Sequence, residues 1–150
     1  MMFNRTCSSL ALAAILACMS PLVGAEALTS AALEAWLQGY GAAWVARDAS
    51  AAGRLFAAGA RYHEAPYDEP KMGRAGIEAY WQSVTADQRD VQFKSSLIAV
   101  HGDTGVAHWS AKFRLESTGA IVELDGGFVL EFDASGHCSS LREWWHVRGG

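Results

Sequence analysis

Two periodicities divide this chain. Before Val91, apolar side chains recur every three or four positions; from Val91 onward they alternate. Leu33, Trp36, Leu37, Tyr40 and Trp44 fall at the i, i+3, i+4, i+7 and i+11 positions of one helical face. Thr29 or Ser30 can cap the start of that helix. Gly39 and Gly41 lie inside it at about 1 kcal/mol each relative to Ala, an expense that close approach of another element would explain. Asp48 is placed to cap a short second helix, Ala49 to Phe56, ended near Gly59. Ile77, Tyr80, Trp81 and Val84 mark the buried stripe of a third.

In the second half the period is two. Ala107, Trp109, Ala111, Phe113 and Leu115 share one strand face, and His108, Ser110, Lys112 and Arg114 share the other. Val122, Leu124, Phe128, Leu130 and Phe132 share a parity on the next strand, between turns at Ser117-Thr118-Gly119 and Asp133-Ala134-Ser135-Gly136. Strands of roughly ten residues exceed the usual five or six and must bend to pack on few helices. Gly126-Gly127 in mid-strand is the expected bulge or kink. A strand-like run from Ala60 to Ala65 leads through Pro66, Pro70 and Gly73 into the third helix. The expectation is an α+β fold: a cone-shaped, curved antiparallel sheet wrapped by three N-terminal helices around an apolar hollow.

Composition changes that picture at one end. The 150 residues, 51% hydrophobic and 19% charged, make one globular domain. Its first segment reads differently. Arg5 is the only charge before an apolar run, Leu10 to Ala17, and Val23-Gly24-Ala25 supplies small residues. That order is a secretory signal over residues 1–25, leaving residues 26–150 as the exported domain. Ile15-Leu16-Ala17-Cys18 also resembles a bacterial lipobox, in which a lipidated Cys18 would tether the chain to a membrane. Removing residues 1–25 takes away Arg5 and moves the net charge from −4 to −5. An acidic chain without a Lys/Arg cluster is not a nucleic-acid surface. Only Cys138 then remains, so no internal disulfide can form and the core must hold the fold unaided.

Candidate chemistry centres on carboxylates. Glu143 shares strand parity with Leu141, Trp145 and Val147, which turns a carboxylate toward apolar neighbours. Desolvation there would raise its pKa and suit it to acid or base work; the alternative is pairing with Arg61 or Arg142. Tyr62 and Glu64 share a parity and would line the pocket together, with His63 facing the other way or acting as a general base if a bulge reverses the strand. Asp125 is either a pocket residue or a turn-stabilising or interface acid. Trp44, Tyr62, Trp109, Phe113 and Trp145 could line a cavity for a flat, hydrocarbon-like ligand or simply fill the core. The five histidines show no metal-ligand spacing, and no Gly-x-Ser-x-Gly elbow or phosphate loop exists, so neither metal nor cofactor is expected. His108, Trp144 and His146 mark an outer face suited to a second subunit.

The Trp44-x-x-x-Asp48 helix end, the Leu55-Phe56 pair, Tyr62 and the Pro66-x-x-x-Pro70-x-x-Gly73-x-x-x-Ile77 entry to the third helix carry a family resemblance. Leu124-Asp125-Gly126-Gly127-Phe128 and Glu143-Trp144-Trp145 add to it. The chain from about Leu33 to Arg148 resembles the SnoaL-like group of the nuclear transport factor 2-like superfamily. That resemblance implies a homodimer and a small-molecule pocket. It leaves open cofactor-free isomerisation, dehydration or hydrolysis, and equally a non-catalytic binding or interaction module. Ketosteroid isomerases are similar around Glu69-Pro70-Lys71-Met72-Gly73, but their catalytic aspartate directly precedes a proline. Here Ala65 precedes Pro66 and Glu64 lies one step earlier, so the resemblance supplies no base at that position.

Overall fold

The computed structural model describes residues 27–148; the signal and lipobox readings fall outside them. Thr29 caps α1 (Ser30–Ala46), its side chain accepting from the Ala32 N–H at 3.1 Å. The apolar stripe read from the sequence is the face that α1 buries. Arg47 closes the helix in the left-handed region, and Asp48 caps α2 (Ala49–Arg54) by accepting from the Ala51 N–H at 2.8 Å. This second helix is shorter than expected, because Phe56 already opens β1 (Phe56–His63). The chain continues through β2 (Lys71–Met72), α3 (Gly73–Thr85), β3 (Gln88–His101), β4 (Thr104–Leu115), β5 (Ile121–Phe132) and β6 (Cys138–Arg148).

Two strands therefore intervene before the third helix, and the helices do not form an uninterrupted N-terminal set. The six strands make one curved, open sheet in the order β2-β1-β6-β5-β4-β3. Its β3-to-β6 portion is the expected antiparallel meander. The sheet as a whole is mixed, however, because β1 runs parallel to β6, with Tyr62 opposite Leu141. The parallel pairing carries Tyr62 to the strand that holds Glu143.

The bulge expected at Gly126-Gly127 is absent. The ladders through both glycines are continuous, and the irregularities fall in β3, in β1 and at Glu131/Phe132. Gly126 answers instead to close approach: a Cβ there would meet the Trp144 carbonyl oxygen and lie 2.8 Å from Trp145 Cβ. Gly41 does the same for α1, since a Cβ would come within 2.5 Å of the Phe93 ring. The helix thus settles onto β3 at the cost of weaker helix propensity.

Between α1 and the inner face of the sheet lies an aromatic core. Trp109 stacks on Phe128 with centroids 5.2 Å apart, Tyr40 meets Phe128 edge-on at 5.2 Å, and Trp44 reaches Trp109 at 5.6 Å. Offset and edge-on geometries of this kind add about 0.5–1.5 kcal/mol per pair beyond burial.

Candidate functional site

The inner face is not completely filled. A cavity of about 240 Å³ opens between α1, α3, the start of β3 and strands β1, β4, β5 and β6. Its wall is mostly aromatic and aliphatic: Tyr40, Trp44, Tyr80, Trp81, Trp109, Phe113, Val122 and Leu124. The polar groups that interrupt it are Tyr62, Glu64, Glu143, Thr85 and Gln88. Among the described residues, no Lys or Arg side chain lines it.

Glu143 is 6% exposed. Tyr62, on the neighbouring parallel strand, donates its hydroxyl proton to Glu143 Oε1 at 2.9 Å. The Tyr62 hydroxyl sits 2.9 Å from that of Tyr40, and with its own proton committed to Glu143 it accepts from Tyr40. A chain of three hydroxyl and carboxyl groups therefore runs from α1 across β1 to β6. The arginines considered as partners for Glu143 are not there: Arg142 pairs with Glu131 at 2.8 Å, and no ion pair reaches Glu143 among the described residues. Burial without a cation, with the negative charge of Glu64 adding to it, pushes the Glu143 carboxyl up to about 8, even though the Tyr62 hydrogen bond pulls the other way. Burial and the nearby Glu143 likewise hold the Tyr40 and Tyr62 hydroxyls well above the ordinary tyrosine value, so both remain protonated donors.

Near neutral pH Glu143 is thus predominantly a neutral acid. Its Oε1 receives the Tyr62 proton, while the other carboxyl oxygen takes no hydrogen bond from the described residues. The acidic proton on that second oxygen is free to be shared with a guest. Glu64 lines the same cavity with Lys71 Nζ 3.8 Å from its carboxylate, and Lys71 also lies over the Tyr80 ring at 5.3 Å. A carboxyl group buried without a cation and a second one facing Lys71, both on a single apolar cavity, can donate a proton at one atom and remove one at another.

The structure brings Tyr62, Glu64, Glu143, Trp44, Trp109, Phe113 and Trp145 together on this cavity. Trp145, 39% exposed, belongs to its rim. His63 and Asp125 lie elsewhere. His63 follows the strand alternation, because the irregularity in β1 lies upstream between Phe56 and Arg61, and it stands beside Arg142 in the β1–β6 ladder. Asp125 is a correction to the pocket reading: it is on the outer face, in mid-strand rather than in a turn, with both carboxylate oxygens 3.1 Å from His108 Nε2. The Gly pair leaves β5 in register, so nothing reverses that facing. Asp125 borders an outer depression of about 550 Å³ in which Lys112 and Arg148 both pair with Glu123.

Sequence reasoning missed two residues. Tyr40 was legible only as part of the α1 stripe, although a buried tyrosine hydroxyl nearly always needs a partner, and that was the available signal. Gln88 gave none. It is 7% exposed, and its Oε1 accepts from the Trp44 indole N–H at 2.7 Å. The indole N–H groups of Trp81 and Trp109, also on the cavity wall, are buried without an acceptor. Among the described residues no group of three or more His, Cys, Asp or Glu could hold a metal ion.

Comparison with known proteins places this geometry. The family model for a SnoaL-like domain matches residues 34–140. No curated protein matches the chain. Solved structures do. A hypothetical protein with a ketosteroid isomerase-like fold from Catenulispora acidiphila DSM 44928, in complex with trimethylamine, is similar at TM-score 0.65 and 17% identity. The match covers 73% of this chain and 83% of that one. An epoxide hydrolase/cyclase-like enzyme with a role in pyran ring formation in the polyether salinomycin matches at TM-score 0.64 and 18% identity, over 77% and 88% of the two chains. The Delta 5-3-ketosteroid isomerase from Mycobacterium sp. matches at 0.67 and 15%, over 79% and 98%. At these identities the likeness is one of fold.

Proposed function

The chain belongs to the SnoaL-like domain family, and from that premise we propose that it binds a small, largely apolar ring molecule and moves a proton on it without a cofactor. The observation that carries this reading is Glu143: a carboxyl group buried in an apolar cavity, held by Tyr62 at 2.9 Å and left without a cation. A merely structural glutamate is normally paired. A cavity of about 240 Å³ falls just below the usual range for drug-sized ligands, roughly 300–1,000 Å³, and suits one or two rings. Glu64 acts as the base at a C–H beside a carbonyl. Glu143, backed by Tyr62 and Tyr40, shares or donates its proton where negative charge develops. Those two proton movements complete an isomerisation; in a dehydration the donated proton instead leaves with the departing hydroxyl group as water, and in a hydrolysis the base takes its proton from an attacking water rather than from a C–H.

Two further parts of the reading rest on the sequence and the outer surface. The signal over residues 1–25 exports the protein. A second copy covers the outer sheet face, where Trp144 stands 51% exposed; analytical ultracentrifugation of the mature chain checks the dimer.

The alternative, a binding module without a reaction, draws on Lys71, which partly neutralises Glu64 at 3.8 Å. Deuterium exchange separates the two. The protein is incubated in D2O with 2-tetralone, a compact ketone with acidic C–H groups, and the α-proton signals are followed by NMR. The proposal expects exchange accelerated about 10²-fold or more over buffer, lost in Glu64→Gln and reduced in Glu143→Gln. A bound tetralone that exchanges no faster than in buffer leaves only the binding module.

A further inference from the structure

Gln88 is the first residue of β3, buried at 7% exposure, and its side chain has one partner: the Trp44 indole N–H, 2.7 Å from Oε1. An indole nitrogen can only donate, so the orientation of the Gln88 amide is fixed, with its carbonyl oxygen toward Trp44 and its NH2 group away. None of the described residues accepts from that NH2 group, although Gln88 lines the cavity. That NH2 group keeps contact with solvent, and a guest oxygen that displaces the water takes over as its acceptor. Trp81 and Trp109 on the same wall also lack acceptors. Among the described residues no Lys or Arg lines the wall, while the Glu64 carboxylate stands on it, so a carboxylate or phosphate guest would meet repulsion and no counter-charge on the wall itself.

The position of Gln88 gives the guest a direction. Along β4 the ladder partner of Gln88 is Leu115, whereas Glu143 connects through Phe128 to Ala107. The two polar groups therefore occupy opposite ends of the strand face that the cavity spans. We infer that Gln88 is a specificity-determining residue: its amide NH2 anchors an uncharged acceptor oxygen, of the ketone, ester or ether class, at the end of the guest remote from Glu143. Trp44 is the positioning residue that aims the amide. The inference rests on the pocket reading above, but it concerns selection of the guest and not its turnover.

The test uses a matched pair, indan-1-one and indane, which differ by one carbonyl oxygen. Binding is read by quenching of tryptophan fluorescence and by calorimetry. Wild type binds indan-1-one about 5-fold or more tighter than indane, the factor that one net hydrogen bond supplies. In Gln88→Leu the ratio falls several-fold, any remainder being what Glu143 contributes, while indane affinity is retained. Loss of the Trp44 acceptor could destabilise that variant, so Trp44→Phe/Gln88→Leu, which removes both halves of the bond, is the second protein measured. The ratio is the readout that a merely structural role does not move, because loosened packing weakens both probes together. Equal affinities of wild type for the two probes, or an unchanged ratio in both variants, overturns the role of Gln88 and leaves the pocket standing. If wild type binds neither probe, the pocket reading itself fails and takes this inference with it.

Discussion

Glu143 and Glu123 are carboxylates on neighbouring strands of one sheet, and the fold treats them in opposite ways. Glu123 faces outward, where Lys112 Nζ lies 3.1 Å away and Arg148 donates to the same carboxylate. Those partners hold its carboxyl below the ordinary glutamate value. Glu143 faces inward, is given one tyrosine hydroxyl and no cation, and is held far above that value. A sheet can carry both only because successive side chains point to opposite faces. The outer carboxylate belongs to a solvated lattice of ion pairs, each worth little. The inner one keeps its full desolvation cost, and groups kept in that condition mark functional sites.

The largest expected contrast lies within β4. Trp109 faces inward at full burial and Lys112 faces outward. Trp109→Ala should cost about 3–5 kcal/mol in urea unfolding, whereas Lys112→Ala should leave the midpoint within error. Comparable losses from both would mean that the two faces are not energetically distinct.

The next contrast is in pH. A group whose folded pKa is raised binds more protons folded than unfolded, so its contribution is complete below the unfolded value and is lost as pH rises through the folded one. For Glu143 that window runs from about 4.5 to about 8. Stability should therefore fall by a few kcal/mol between pH 5 and 8, and Glu143→Gln should remove that slope. A slope of the opposite sign in this window, or one that survives in Glu143→Gln, breaks the contrast between the carboxylates.

The smallest effect belongs to Glu123→Gln. Its melting temperature should match wild type at 0.5 M NaCl and differ only slightly at low salt, because exposed pairs are screened. A large loss that persists in high salt would show that the outer lattice is more than a solvated face.

How far the sequence reached follows the same division. The α1 stripe and the alternation of β4 and β5 are local patterns, and Trp44, Trp109 and Phe113 could be placed on the cavity from them alone. The inward parity of Glu143 was legible from Leu141. Trp145 and Val147 share that parity yet are exposed at the end of β6, because parity sets facing and not what covers the face. The parallel pairing of β1 with β6 joins segments some eighty positions apart, and no local pattern encodes it. Without that pairing the contact from Tyr62 to Glu143 could not be drawn. Gly126 misled for a related reason: a strand glycine signals either a bulge or a close neighbour, and the neighbour, Trp144-Trp145, is distant in sequence. Gln88 acquires its meaning only from Trp44, which lies on another element.

The central claim is that Glu143 is a neutral acid near pH 7, and its own titration tests this most directly. With 13C-labelled glutamate, the side-chain carboxyl resonance missing from the Glu143→Gln spectrum identifies the residue, and its shift is followed from pH 4 to 10. The midpoint should fall near 8. A midpoint in the ordinary glutamate range, about 4–5, would make Glu143 a carboxylate at neutral pH and contradict the central claim.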